Sequence, residues 1–195
     1  MLDHLVYTVP DLSRAIASFT AAGLPPTPGG RHPERGTHNA LLRLGLRSYL
    51  ELLAVDPDTD IPPPRWMGID LAGGISVISR WAVHAGAVQY SGEALQSGSR
   101  RLADGQLLRW RLSDPGTHPA VDVVPFVIDW SASGTHPADR LPDLGLALES
   151  LTLEHPDPAA VNDRLLRMGL PQKAIRGAAP RIGAVLRGPQ GKLNL

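Results

Sequence analysis

Two stretches of this chain repeat one another without a gap. Leu2 to Pro25 reads LDHLVYTVPDLSRAIASFTAAGLP, and Leu148 to Pro171 reads LESLTLEHPDPAAVNDRLLRMGLP. Leu5 falls on Leu151, Pro10-Asp11 on Pro156-Asp157, and Gly23-Leu24-Pro25 on Gly169-Leu170-Pro171. An internal repeat constrains architecture more than any single residue does, because each copy has to fold as one supersecondary unit. The unit here is a strand, a capped turn, a helix and a glycine stop. Leu5, Tyr7 and Val9 alternate with His4, Val6 and Thr8, which predicts a strand with two different faces. Pro10 cannot continue a ladder, and Asp11 is a good helix N-cap. Leu12, Ala15, Ile16 and Phe19 recur at helical spacing, and Gly23 suits the left-handed residue that ends a helix. Leu151, Leu153, Asp157, Val161, Leu165 and Gly169 repeat the pattern.

The rest of the chain reads around these units. Residues 25–37 are rich in Pro and Gly and predict a short edge strand and a loop. Asn39 to Leu44 and Tyr49 to Ala54 predict two strands joined by a tight turn at Gly45 to Ser48. Residues 1–55 therefore read β-α-β-β-β, and residues 56–74 read as a linker or surface lobe. Between 75 and 130, Ile75 to Val83, Leu107 to Leu112 and Val123 to Trp130 predict strands. At most a short helix fits around Gly92 to Leu95, so this module, 75–130, is irregular. A second linker precedes the last module, 146–195, which ends in strands near Arg181 to Leu186 and Lys192 to Leu195. The expectation is a single α+β domain over 1–195.

The 195 residues carry 19 basic and 19 acidic side chains. A zero balance argues against nucleic acid or an anionic membrane as partner, because phosphate binding needs a basic excess. The absence of cysteine excludes disulfides, thiolate ligands and a cysteine nucleophile. No apolar run of about 18 residues suggests a signal peptide or a membrane span, and a cytoplasmic location is the simplest expectation. Gly29-Gly30 lacks the context of a phosphate loop, and no Gly-x-Ser-x-Gly supports a hydrolase.

The pattern resembles the vicinal oxygen chelate superfamily, and within it the glyoxalase-like domain proteins. The resemblance rests on LDHLVYTVPDL, on GTHNALLRLG at 36–45, on SYLELLAVDP at 48–57 and on VPFVIDW at 124–130. It implies repeated β-α-β-β-β modules forming an open curved-sheet barrel of the glyoxalase/bleomycin-resistance/dioxygenase type. It also implies a divalent metal, with one ligand from the first strand and one from the last strand of a module. Carried over residue by residue, those ligands are His4 and Glu51. Strand parity independently puts both on the face away from the helix: Leu50, Leu52 and Ala54 form one face of their strand, leaving Tyr49, Glu51 and Leu53 opposite. The repeat puts Ser150 where His4 stands, and the ending LRGPQGKLNL puts Asn194 where Glu51 stands. Neither is a strong ligand for zinc, nickel, manganese or iron, so the implied site is weak.

Each candidate has a plainer reading beside the functional one. His4 and Glu51 are metal ligands, an acid–base pair without metal, or a structural pair. His38 and Asn39 are a cleft-rim acid and hydrogen-bond donor, or a polar turn. Asp129 is expected to face the cleft, opposite Ile128 and Trp130, paired with Arg80 or Arg109, for substrate or as a structural ion pair. His32, His118 and His136 read as turn residues. Trp81, Trp110 and Trp130 read as core or groove lining. The leading expectation is an enzyme acting on a small organic molecule by lyase- or isomerase-type proton transfer. In it Glu51 or His38 moves the proton, His4 and Glu51 hold any metal, and Asn39, Tyr49, Arg80, Asp129 and Ser150 bind substrate. The alternative is a protein of the same fold that sequesters a small molecule. A homodimer is compatible with either.

Overall fold

The computed structural model describes residues 2–90, 92, 94–101 and 107–195, with Arg101 described by its backbone alone. The first unit forms β1 (Leu2–Thr8), α1 (Leu12–Ala21), β2 (Thr27–His32), β3 (Thr37–Arg43) and β4 (Tyr49–Val55). Asp11 caps α1 by accepting from the Arg14 N–H at 3.0 Å, and Gly23, at φ 75°, ends it. The middle of the chain supplies β5 (Val77–His84), β6 (Gln96–Arg101), β7 (Leu107–Leu112) and β8 (Phe126–Asp129). These eight strands form one sheet in the order β2-β3-β4-β1-β5-β8-β7-β6.

That order is symmetric about the β1–β5 pair. β1 runs parallel to β4 and antiparallel to β5, and β5 runs parallel to β8. The two halves are thus the same unit, the second with no α-helix among its described residues. The sheet curves until its edge strands β2 and β6 approach one another, giving the nearly closed barrel that the resemblance implies. The short helix expected around Gly92 to Leu95 includes Glu93, which lies outside the described residues; Gly92, Ala94 and Leu95 are not helical.

The third unit departs from this plan. It forms β9 (Ala147–His155), α2 (Pro158–Arg167), β10 (Ala174–Arg176), β11 (Arg181–Gly188) and β12 (Gly191–Asn194). The helix repeats the first one in detail: Asp157 accepts from the Ala160 N–H at 3.2 Å, and Gly169 stands at φ 73°. The sheet does not repeat, because its order is β10-β9-β11-β12. The strand after the helix pairs directly with the first strand, and the last strand pairs only with β11. Ser150 and Asn194 consequently flank Val185 and are not neighbours.

Two apolar layers follow from strand parity. On the convex side Leu5, Leu50, Leu52 and Ala54 pack under Phe19 of α1, while Trp81, Val83 and Val127 pack under Leu153, Ile182 and Leu186 of the second sheet. β11 crosses behind β5. The C-terminal sheet therefore covers the face that a second helix would have covered. On the concave side Val6, Leu53, Ala82, Phe126 and Ile128 meet Trp66 and Met67. Those last two belong to a pair of 3-10 turns, Trp66–Leu71, inside the stretch expected to be a linker. Met67 and Gly68 take positive φ there, and Gly68 needs to be glycine, because a Cβ would lie 2.5 Å from the Pro119 carbonyl oxygen. No helix among the described residues is long and apolar enough to cross a membrane.

Candidate functional site

His4 and Glu51 reach the concave side from adjacent parallel strands. His4 pairs with Tyr49 and Val6 with Glu51. The imidazole stacks on the Tyr49 ring at 4.6 Å, and its Nε2 stands 3.7 Å from Glu51 Oε2. Both side chains are buried. Asn39 comes from β3 beside them, and its Nδ2 donates to Glu51 Oε1 at 2.5 Å. Its Oδ1 accepts from Arg100 Nη1 at 2.9 Å. Asn39 thus stands between a carboxylate and a guanidinium and keeps them apart. Position 29 must be glycine for this, since a Cβ there would lie 2.0 Å from Asn39 Oδ1 and 2.7 Å from Arg100 Nη1.

A β-bulge adds a residue that alternation would have turned away. Leu2 pairs with Val83 and His4 with Ala82, so Asp3 is the extra residue. Its carboxylate joins the same network as its neighbour: Oδ1 lies 2.7 Å from His4 Nδ1. Oδ2 takes the Trp130 indole N–H at 3.0 Å and lies 2.9 Å from His84 Nδ1 and 3.2 Å from His136 Nε2. Burial raises the Asp3 pKa, but hydrogen bonds from His136, His4 and His84 outweigh it and hold the carboxyl well below its ordinary range. The Tyr49 phenol is pushed well above its ordinary value by burial, with Asp3 and Glu51 adding to the effect, so it stays protonated.

The His4–Glu51 recess is walled by Trp66, Met67, Trp110, Phe126, Ile128 and Trp130. It adjoins a cavity of about 480 Å³ bounded by residues 31–35 and by β6 and β7. His32, Trp66, Arg100, Trp110 and Leu112 line both spaces. His32 donates to or accepts from Thr37 Oγ1 at 3.1 Å, and burial pushes its imidazole down to about 4. An apolar chamber with a few convergent polar groups is what a small-molecule site requires.

Several expected site residues lie elsewhere. His38 pairs with Ala54, whose side chain belongs to the convex layer, so His38 faces out while Asn39 faces in. Arg80 is buried but spent on backbone carbonyls: Nε donates to Pro115 at 2.9 Å, Nη1 to Ser79 at 2.7 Å and Ala120 at 3.3 Å, and Nη2 to Pro119 at 2.7 Å. It fastens the loop before β8. Asp129 faces outward and pairs with Arg111, not with Arg80 or Arg109. Ile128 and Trp130 are the ones that line the recess. β8 is apolar on both faces, so alternation does not say which side is the cleft. Ser150 is exposed on the second sheet. His136, expected as a turn residue, does cap the turn Pro137–Arg140, but it is also fully buried against Asp3.

The donors present bear on the implied metal. Asp3, His84 and His136 hold ligand atoms close enough together to bind an ion, and they form a buried group that could do so. In the structure His136 Nδ1 accepts from the Ala138 N–H at 3.1 Å, which assigns the proton to Nε2, facing Asp3. The pair His4 and Glu51 gains no third strong ligand among the described residues. Two donors do not make the ligand set a held transition metal needs.

The family model described as Glyoxalase-like domain matches residues 2–169. No curated protein matches the chain. A hypothetical protein from Staphylococcus aureus is similar in structure over 97% of this chain and 92% of its own, at 14% identity and a TM-score of 0.67. Methylmalonyl-CoA epimerase from Mycobacterium tuberculosis is similar over 66% of this chain and 85% of its own, at 18% identity and a TM-score of 0.39. A methylmalonyl-CoA epimerase variant from Streptomyces coelicolor, in complex with 2-nitronate-propionyl-CoA, is similar over 68% of this chain and 95% of its own, at 20% identity and a TM-score of 0.42. The likeness to the Staphylococcus aureus protein extends to the C-terminal unit and concerns the fold alone.

Proposed function

Because the chain belongs to the glyoxalase-like domain family, we propose that it moves a proton at a carbon next to a carbonyl in a small organic molecule, an isomerase- or lyase-type step. The observation that carries this reading is the His4–Glu51 pair, 3.7 Å apart at the floor of an apolar chamber. Glu51 Oε1 is occupied by Asn39, which leaves Oε2 to take the proton. The electron pair left on carbon moves to the carbonyl oxygen. His4 is the group in reach of that oxygen, and Asp3 fixes its ring by holding Nδ1. Protonated on both nitrogens, His4 offers Nε2–H as the acid; protonated on Nδ1 alone, it offers a lone pair. Tyr49 adds a neutral hydroxyl group, and the tryptophans exclude water.

The test is solvent exchange. 2-Oxo-4-phenylbutyrate in D₂O should lose its C3 protons faster with the wild-type protein than in buffer, as read by proton NMR. Glu51→Gln should slow this by about 10²- to 10⁴-fold, the usual worth of a positioned base. The aromatic walls formed by Trp66, Trp110 and Trp130 favour a second reading, sequestration without chemistry. That reading gains if the probe binds and the wild-type protein gives no exchange above buffer.

A further inference from the structure

Among the described residues two arginines are buried, and they are used differently. Arg80 gives its donors to the carbonyls of Ser79, Pro115, Pro119 and Ala120, and its role ends there. Among the described residues Arg100 gives one hydrogen bond, from Nη1 to Asn39. Its Nε is buried and, like Nη2, has no hydrogen-bond partner among the described residues. No carboxylate of a described residue lies in ion-pair range of it. Arg100 is 6% exposed, and a guanidinium keeps its charge when buried. A buried, charged, unpaired donor is costly unless something answers it.

The placement of Arg100 says where the answer comes from. On β6 and β7 Arg100 pairs with Leu108, Gly98 with Trp110 and Gln96 with Leu112. Leu112 and Trp110 face the chamber, so Arg100 does too, and it lines both the His4–Glu51 recess and the larger cavity. With Nη1 held by Asn39, the edge left open is the one formed by Nε and Nη2. Two parallel N–H groups on one edge match the two oxygens of a planar carboxylate. Above them Arg35 lies 5.0 Å over the Trp66 ring and donates to Gln96 at 3.3 Å, adding a second positive group at the mouth. Asn39 prevents Arg100 from pairing with Glu51, which would have quenched both the base and the cation.

We propose that Arg100 is the binding site for a carboxylate, and that the substrate class is small organic acids with an apolar body. The acid group docks on the Nε–Nη2 edge, the body lies against Trp66 and Trp110, and the reacting carbon points toward Glu51. The orientation of the reacting carbon rests on the proton-transfer reading above. The carboxylate site does not.

The experiment compares 2-oxo-4-phenylbutyrate with its primary amide, which keeps the carbonyl and the phenyl ring and removes the charge. Binding is read by tryptophan fluorescence and exchange by NMR. The wild-type protein should prefer the acid by at least about tenfold, the scale of one charge-assisted hydrogen-bond pair. Arg100→Met should abolish the preference while a thermal melt shows it folded. Arg100→Lys, which keeps charge but loses the fork, should recover only part of it. Gly29→Ala, whose Cβ would meet both Asn39 Oδ1 and Arg100 Nη1, should weaken the acid more than the amide. Equal affinity of the wild-type protein for acid and amide overturns the proposal without any variant. So does a preference that survives in Arg100→Met. An acid preference without exchange leaves the carboxylate site standing and overturns proton transfer. Exchange of the amide as fast as the acid does the reverse.

Discussion

Asp3 and His4 are consecutive in the chain, yet their side chains meet, with Asp3 Oδ1 2.7 Å from His4 Nδ1. The bulge in β1 makes this possible, and the contact fixes which imidazole nitrogen faces Glu51. Asp3→Asn should therefore damage chemistry beyond its effect on stability. The neutral amide removes the negative charge that supports the doubly protonated His4 ring, the form that offers Nε2–H as the acid. We expect loss of exchange by about 10²-fold or more, with probe affinity within a factor of a few. Stability should fall by roughly 1.5–3 kcal/mol, the worth of hydrogen bonds to a charged group. Unchanged exchange in a folded variant would remove Asp3 from the site.

Acid should weaken the fold through His32. Burial holds its imidazole down to about 4 against an ordinary value of 6.5. A base with a depressed pKa in the fold is protonated first in the unfolded chain. Its contribution is thus complete above about pH 6.5 and is lost as the pH falls toward 4. The difference amounts to roughly 3 kcal/mol. Denaturant melts between these pH values should show that loss, and His32→Gln should flatten it. An equal slope in both proteins would mean that another group is responsible.

Two adjacent leucines of α2 test the register of the repeat. Leu165 is fully buried and Leu166 is 74% exposed. Leu165→Ala should cost about 2–5 kcal/mol, and Leu166→Ala less than about 0.5 kcal/mol. Phe19→Ala in α1 should fall near the first figure, since it occupies the matching position. Equal costs at 165 and 166 would show that the helix faces are misassigned.

Exchange should persist after dialysis against a chelator, because the His4–Glu51 pair supplies two strong ligands only. If exchange is lost and is restored by zinc, nickel, manganese or iron, the proton-transfer scheme above needs a metal. His84→Ala then tells whether that metal uses the group around Asp3.

Strand alternation made half of the site readable in advance. Parity on β1 and β4 puts His4, Tyr49 and Glu51 on one face, and the structure brings them and Asn39 together. The same rule failed where its premise failed. At Asp3 a bulge suspends alternation, and no residue type announces a bulge there. At Asp129 both faces of the strand are apolar. Arg100 lies in QSGSRR, which has no hydrophobic rhythm, because the inward position 98 is a glycine over which the Trp110 indole lies. Trp66 lies in a proline-rich stretch that looks like linker, and only its burial against the sheet reveals it as cavity wall. The fold was legible through punctuation: two capped helices and their glycine stops. What the repeat could not convey was the pairing order after the second helix, which depends on contacts made far away in sequence.

The C-terminal sheet contributes nothing to the recess around Glu51, yet it determines whether that recess can exist in water. It shields Trp81, Val83 and Val127, which no α-helix of the described middle residues covers. A fragment ending near Gly145 would retain His4, Asn39, Glu51 and Arg100 but expose one side of its sheet. Such a surface finds its own copies sooner than it finds a ligand. The proposed site and the cover of the sheet behind it are thus held by different stretches of the chain, and trimming the tail would bare that sheet.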